Sequence, residues 1–260
     1  MIMKRLLMVL DFDGLLVNSY ELLRATFAEF DLDVGDEERF RNRRKFLKYF
    51  GGGRELLSNL AKVALPKKRR LREALTRNYL ERGRVHGVFV PYVNACIDEP
   101  AVHVGVVSRN YTLRPGPTIR HVLAASGINE RGLDFVIPLS VGSKKDDVLS
   151  AMTSPRFPVS LLAGDEVGDY RAAVAAGYTP VIASYGFDHR ERLRQHGEVP
   201  DDLLFDTPAA LVARLWQLSA LYMETGLPPT TAPIDSLPGF VPQLTGSAHQ
   251  GLADAPTRGG

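Results

Sequence analysis

The sequence predicts an α/β protein: a parallel sheet with helical crossovers, and a small helical domain inserted after the first strand. Three observations predict it. Short apolar runs that read as buried strands alternate with segments whose apolar residues recur at helical spacing. Residues 20–86 show no strand pattern and carry 17 Lys and Arg against 10 Asp and Glu. The first apolar run ends in Asp11-Phe12-Asp13-Gly14, with two carboxylates on positions that an extended chain points the same way.

Leu6 to Leu10 is the first strand, apolar throughout as a strand buried on both faces should be. From Ser19 the spacing turns helical through Leu22, Leu23, Phe27 and Phe30, and Asp31 to Glu38 is acidic and turn-like. Helices are expected over Phe40 to Phe50, Arg54 to Val63 and Lys67 to Arg82, broken by Gly51-Gly52-Gly53 and by Leu65-Pro66. The sheet pattern resumes near Val90. A short helix is expected at Val93 to Ile97, then a strand at Val102 to Val107 and a helix at Thr118 to Ala125. A strand at Phe135 to Leu139, a helix at Lys144 to Met152 and a strand at Val159 to Ala163 follow. Tyr170 to Ala176 is a helix stopped by Gly177. Pro180 to Ala183 and Asp202 to Phe205 are the last strands, the second at an edge, and Pro208 to Leu221 is the last helix. From about Gly226 the chain is rich in Pro, Gly, Thr and Ala and reads as a poorly ordered tail, residues 226–260. The expected domains are therefore residues 1–19 with 87–225, and the helical insert 20–86.

With 260 residues, 45% hydrophobic and 24% charged, the chain is long enough for one large core or a core with a small accessory domain. A net charge of +2 says little about partners. Cys96 stands alone, which excludes an internal disulfide and suits a reducing compartment, so the expected location is cytoplasmic. Lys4 and Arg5 precede a short apolar run without a small-residue cleavage site, which reads as a core strand and not as a signal peptide. No stretch reaches the roughly 18 apolar residues of a membrane span. Zinc-site spacings of Cys and His are absent.

Four polar positions fall at the ends of successive sheet elements: Asp11 with Asp13, then Ser108, then Lys144 or Lys145, then Asp165 with Asp169. Open α/β sheets bind ligands at the carboxyl ends of their strands. Asp11 and Asp13 repel each other there, and a hard divalent cation such as Mg2+ offsets that repulsion. Each position has a use in one chemistry. A carboxylate can attack phosphorus, a second can move the proton of the leaving group, and a hydroxyl can hold a phosphoryl oxygen. A lysine can neutralise the phosphate, and further carboxylates can complete a metal shell.

Asp11-Phe12-Asp13-Gly14-x-Leu16-Val17-Asn18-Ser19 resembles the first motif of the haloacid dehalogenase superfamily. Val106-Val107-Ser108 is similar to its second motif, Lys144 or Lys145 to its third, and Gly164-Asp165-Glu166-Val167-Gly168-Asp169 to its fourth. The run Ala172 to Gly177, followed by Tyr185-Gly186-Phe187, resembles the phosphoglycolate-phosphatase-like branch. The resemblance covers about residues 5–221. It implies a three-layer α/β/α, Rossmann-like parallel sheet with an all-helical cap after the first strand. It further implies a Mg2+-dependent phosphatase acting on a small phosphorylated metabolite. By the same resemblance Asp11 is the nucleophile and Asp13 the general acid/base. Mg2+ is held by the Asp11 carboxylate, the Asp13 backbone carbonyl and Asp165, with Asp169 binding or orienting it. Ser108 holds the phosphoryl group, and its neighbours Arg109 and Asn110 are further substrate-binding candidates. Lys145 is favoured over Lys144 because it stands one helical turn before Leu149. Leu15 and Asn18 replace the Thr and Asp of many members; both are tolerable in this family.

Other readings compete. The fold can serve as a non-catalytic binding or regulatory module. A phosphotransferase or a phosphonate hydrolase would use the same superfamily chemistry; a dehalogenase would need no metal and would leave Asp13 superfluous. Arg54, after the three glycines, can reach an anionic leaving group or simply end a turn. The basic segments Arg39 to Lys48 and Lys67 to Arg72 read as solvated helix faces in preference to a nucleic-acid surface. His103 reads as a core histidine and Trp216 as packing in the last helix. The identity of the substrate and the oligomeric state are not written in the sequence.

Overall fold

A computed structural model describes residues 6–32, 68–140 and 142–225 of the chain. The helices expected at Phe40 to Phe50 and Arg54 to Val63, residue Arg54 and the tail 226–260 lie outside the described residues.

Six parallel strands form one sheet: β1 (Leu6–Leu10), β2 (Val102–Ser108), β3 (Phe135–Pro138), β4 (Val159–Gly164), β5 (Thr179–Ala183) and β6 (Leu204–Phe205). Their spatial order is β3-β2-β1-β4-β5-β6. β1 is therefore central, with Leu10 opposite Val106 on one side and Ala163 on the other. The chain runs outward from β1 through β2 and β3, then crosses back to β4. That reversal makes the crevice between the carboxyl ends of β1 and β4 the place where such sheets bind ligands.

All five residues of β1 are fully buried, because helices cover both faces of the sheet. Leu6, Met8 and Leu10 share a core with α3 (Phe89–Asp98), α4 (Pro115–Ala125) and α8 (Pro208–Thr225). Leu7 and Val9 point the other way, against Leu149 of α5 (Lys145–Met152) and Ala172 and Ala173 of α6 (Val167–Ala176). The alternation follows from the two-residue period of a strand. The three-layer α/β/α arrangement expected from the resemblance is the one observed.

Between β1 and β2 come α1 (Ser19–Ala28) and α2 (Lys68–Arg82), which pack on each other. Buried Asn78 donates to Thr26 Oγ1 at 3.1 Å and to Glu29 Oε1 at 2.7 Å across that contact. The Asn18 side chain caps α1 by accepting from the Glu21 N–H.

Element ends depart from the sequence reading in particular ways. α3 begins at Phe89, so Val90, where the sheet pattern was expected to resume, is helical. α4 starts at Pro115 because prolines are tolerated in a first turn, whose N–H groups need no helical partner. α7 (Arg190–Gly197) was not expected: only Leu193 and Gly197 of this polar helix are buried, so its apolar period is too sparse to read. The expected strand Asp202 to Phe205 is a 3-10 turn, Asp201–Leu203, followed by the two residues of β6. Among the described residues no helix is long and apolar enough to cross a membrane.

Because Leu7 is fully buried between β1 and α6, Leu7→Ala is expected to cost about 2–5 kcal/mol of stability by urea denaturation. Val174→Ala, on the exposed side of α6, is expected to change stability by less than about 0.5 kcal/mol.

Candidate active site

The carboxyl ends of β1, β2 and β4 and the start of α5 bring the polar positions together. β1 continues its pairing for one more residue, with the Asp11 N–H donating to the Ala163 carbonyl at 2.9 Å. This fixes Asp11 beside the end of β4. The chain then turns tightly: the Gly14 N–H donates to the Val17 carbonyl at 3.0 Å, and Gly14 adopts a φ of 85°. A side chain there would be strained in backbone and would also collide with Asp165, since a Cβ would lie 2.1 Å from Asp165 Oδ2. Gly186, on the loop after β5, leaves the same carboxylate room from another side, at 2.3 Å.

Asp11 Oδ1 accepts from the Phe12 N–H at 2.7 Å, and Oδ2 accepts from Lys145 Nζ at 2.9 Å. Lys145 also donates to Asp169 Oδ1 at 2.5 Å. Lys144 is exposed at the N-terminal end of α5, so of the two lysines Lys145 is the one in the cluster. Asp169 Oδ2 accepts from the Asp165 and Glu166 N–H groups, both at 3.0 Å. The four-residue spacing of Asp165 and Asp169 is thus explained: one ends β4 and the other closes the first turn of α6, where a negative charge suits the helix dipole. Asp165 Oδ2 accepts from the Phe187 N–H at 2.6 Å, while its Oδ1 is buried with no hydrogen-bond partner among the described residues.

Asp13 is held apart from this group. Its Oδ1 accepts from Ser19 Oγ at 2.7 Å and Tyr79 Oη at 2.5 Å, and its Oδ2 accepts from Asn110 Nδ2 at 3.0 Å. The Asp13 N–H points at Ser108 Oγ, 3.5 Å away. Ser108 is buried at the end of β2. Exposed Arg109 donates to the Ser143 carbonyl at 2.6 Å on the rim. Asp11, Asp13, Ser108, Arg109, Lys145 and Asp169 all line one cavity of about 410 Å³.

The electrostatics are those of too many buried carboxylates. Burial pushes the Asp11 carboxyl up to about 7, with the Asp169 charge adding to the rise and Lys145 opposing it. Burial also raises Asp165 well above the usual carboxylate range, and Asp11, Asp169 and Glu166 push it further. Burial raises Asp13 despite its three hydrogen bonds. Burial would raise Asp169 as well, but Lys145 and the two backbone N–H groups outweigh it and hold Asp169 low. Lys145 is disfavoured as a cation by burial, yet its two carboxylate partners keep it charged.

Asp11, Asp165 and Asp169 each offer a carboxylate oxygen within 4.8 Å of the others. The unpartnered Asp165 Oδ1 and the all-oxygen donor set fit a hard divalent cation. The Asp13 carboxylate is not part of this group.

Sequence reasoning gave no role to Ser19, Tyr79 or the Phe187 N–H. Ser19 and Phe187 stood inside quoted motifs, so their positions were signalled but not their contacts. Nothing local marks Tyr79, whose contact with Asp13 comes from the packing of α2.

The fold is that of haloacid dehalogenase-like hydrolases. A structure described as a predicted phosphoglycolate phosphatase from Haemophilus somnus superposes with a TM-score of 0.58 at 19% identity, covering 82% of this chain and 98% of the other. A haloacid dehalogenase-like family hydrolase from Streptococcus pneumoniae gives 0.56 at 16% identity, covering 82% and 100%. CbbY from Rhodobacter sphaeroides, solved in complex with phosphate, gives 0.55 at 19% identity, covering 81% and 96%. No protein-family model matches the chain, and no curated protein matches it.

The raised Asp11 carboxyl has a consequence for stability in metal-free protein. Its folded-state value, about 7, lies above the ordinary 3.8, so the native state binds the extra proton between these values. The Asp11 contribution to stability therefore falls as pH rises from about 4 to 7. Asp11→Asn removes this dependence. In EDTA the variant is expected to gain stability over wild type between pH 4 and pH 8, read as a growing difference in thermal midpoint. A difference that stays flat with pH would contradict the assignment.

Proposed function

We propose that the chain is a Mg2+-dependent phosphatase that hydrolyses a small phosphomonoester through an aspartyl-phosphate on Asp11. The observation that carries the reading is the convergence, in one cavity, of the Asp11 carboxylate, its Lys145 partner, Ser108 and Asp13, with the unpartnered Asp165 oxygen in the carboxylate group that Asp11 and Asp169 share.

Asp11 Oδ attacks phosphorus; a new P–O bond forms and the bond to the leaving oxygen breaks. Asp13, whose carboxyl burial raises toward the protonated form, gives its proton to that oxygen, which departs as an alcohol. Water then attacks the phosphoryl group and gives a proton to Asp13, and the bond to Asp11 breaks, releasing phosphate and restoring both residues. Ser108 holds a phosphoryl oxygen, and Lys145 restrains Asp11 and balances charge. Asp11, Asp165 and the Asp13 carbonyl would hold Mg2+, with Asp169 orienting the set. When bound, the cation supplies charge that lets an anionic carboxylate approach an anionic phosphate.

Residues 20–86 are the helical cap in this reading, and they choose the leaving group, a small phosphorylated metabolite. Arg109, on the cavity lining, and Asn110, behind it on Asp13, are further substrate-contact candidates. A single buried cysteine suits a cytoplasmic enzyme.

Phosphate release from a panel of phosphomonoesters, with Mg2+ and with EDTA, tests the reading. Mg2+-dependent release is expected from wild type, with a loss of at least about 10³-fold in Asp11→Asn. Release unaffected by EDTA or retained by Asp11→Asn would overturn it.

The metal assignment has its own readout. Mg2+ is expected to raise the thermal midpoint of wild type, more at pH 8 than at pH 6, because the ligands must be deprotonated. Asp165→Ala should lose that rise. An equal rise in Asp165→Ala would place the cation elsewhere.

A further inference from the structure

α2 has no part in the chemistry above, yet it reaches the group that moves the proton. Tyr79, 3% exposed, donates to Asp13 Oδ1 at 2.5 Å, beside Ser19 at 2.7 Å on the same oxygen. A carboxylate oxygen has two lone-pair positions. Oδ1 is therefore filled, while Oδ2 carries Asn110 alone and keeps one position.

The same helix grips the loop that carries Asn110. Arg72 donates to the Tyr111 carbonyl at 3.0 Å and to the Thr112 carbonyl at 2.6 Å. Thr76 Oγ1 accepts from the Leu113 N–H at 2.9 Å. Thr112 in turn donates its N–H, at 3.1 Å, and its hydroxyl, at 2.5 Å, to Asn110 Oδ1. That fixes which face of the Asn110 amide donates to Asp13. Helix, loop, Asn110, Asp13 and Tyr79 close a ring. The Tyr79 ring stacks on Phe12, with centroids 6.2 Å apart, so the hydroxyl is aimed by packing as well.

We infer that Tyr79 is a positioning residue for Asp13: with Ser19 it occupies Oδ1, orients the carboxyl and leaves the transferable proton to Oδ2. The inference rests on the phosphatase reading. Tyr79 acts through Asp13 and does not touch the reacting atoms.

The test is Tyr79→Phe, which removes one oxygen and keeps the ring against Phe12. Two esters are compared by kcat/KM, which reports the step that cleaves the ester bond. An alkyl phosphate, the best of the panel, must protonate its leaving oxygen; dinitrophenyl phosphate expels a phenolate that needs no proton. The variant is expected to lose about 10-fold or more on the alkyl ester and less than about 3-fold on the dinitrophenyl ester. Tyr92→Phe is the control. It also removes a buried hydroxyl, one bonded to Ser219 on α8, and should lower both esters alike or neither. Melting curves confirm that both variants are folded. An equal fall on both esters in Tyr79→Phe, or none, overturns the inference and leaves the phosphatase reading standing. Failure of wild type to hydrolyse any ester overturns the phosphatase reading, and this inference with it.

Discussion

Mutual repulsion among four buried carboxylates is the constraint on which the rest of the site depends. Asp11, Asp13, Asp165 and Asp169 are each at most 8% exposed, and among the described residues Lys145 is the one ammonium bonded to any of them. Such a group cannot stay fully ionised away from water without further positive charge. The fold answers in two ways. It divides the carboxylates, giving Asp13 three neutral donors and Asp169 a lysine and two backbone N–H groups. It leaves Asp11 and Asp165 less well compensated, and burial with the neighbouring carboxylates raises both carboxyls. Asp165 also keeps one oxygen, Oδ1, without a hydrogen-bond partner among the described residues.

The sheet order makes this crowding possible. β1 and β4 are adjacent and in register, so residues just past their ends are brought together whatever their charge. Backbone hydrogen bonds and the buried faces of β1 supply the energy to hold them there. Gly14 and Gly186 then leave room for the Asp165 carboxylate, which a Cβ at either position would strike. The strain in the site is electrostatic, and its geometry is that of ordinary strands, one tight turn and one helix start.

Much of this was legible in sequence for a definite reason. Strand ends are marked where an apolar run meets a polar residue, so Asp11, Ser108 and Asp165 declared their positions. Asp169 was marked by its place in the run Gly164 to Asp169, which resembles the fourth motif. The choice between Lys144 and Lys145 depended on the rotation of α5, which one buried leucine, Leu149, was enough to indicate. What was not legible depends on long-range packing. Tyr79 lies 66 residues from Asp13 in sequence, on a helix whose apolar face gives no hint that its hydroxyl meets a carboxylate. α7 was hidden because two buried residues make no period. Of the expected insert, α1 and α2 are described; residues 33–67, including Arg54, lie outside the described residues.

The division between the sheet and the helices α1 and α2 is therefore not clean in this chain. Asp13 follows β1, but two of its three donors come from helices on the insert side, Ser19 at the start of α1 and Tyr79 near the end of α2. The third, Asn110, is set by a loop that α2 holds through Arg72 and Thr76. A displacement of α2 relative to the sheet would alter all the hydrogen bonds on Asp13 except that of Ser19, while leaving the Asp11–Lys145–Asp169 cluster untouched. In the proposed reaction, attack on phosphorus and proton transfer would then respond differently to the state of the insert. The helix that holds Tyr79 and the Asn110 loop would then govern the residue that protonates the leaving oxygen, and charge compensation at Asp11 would stay constant throughout.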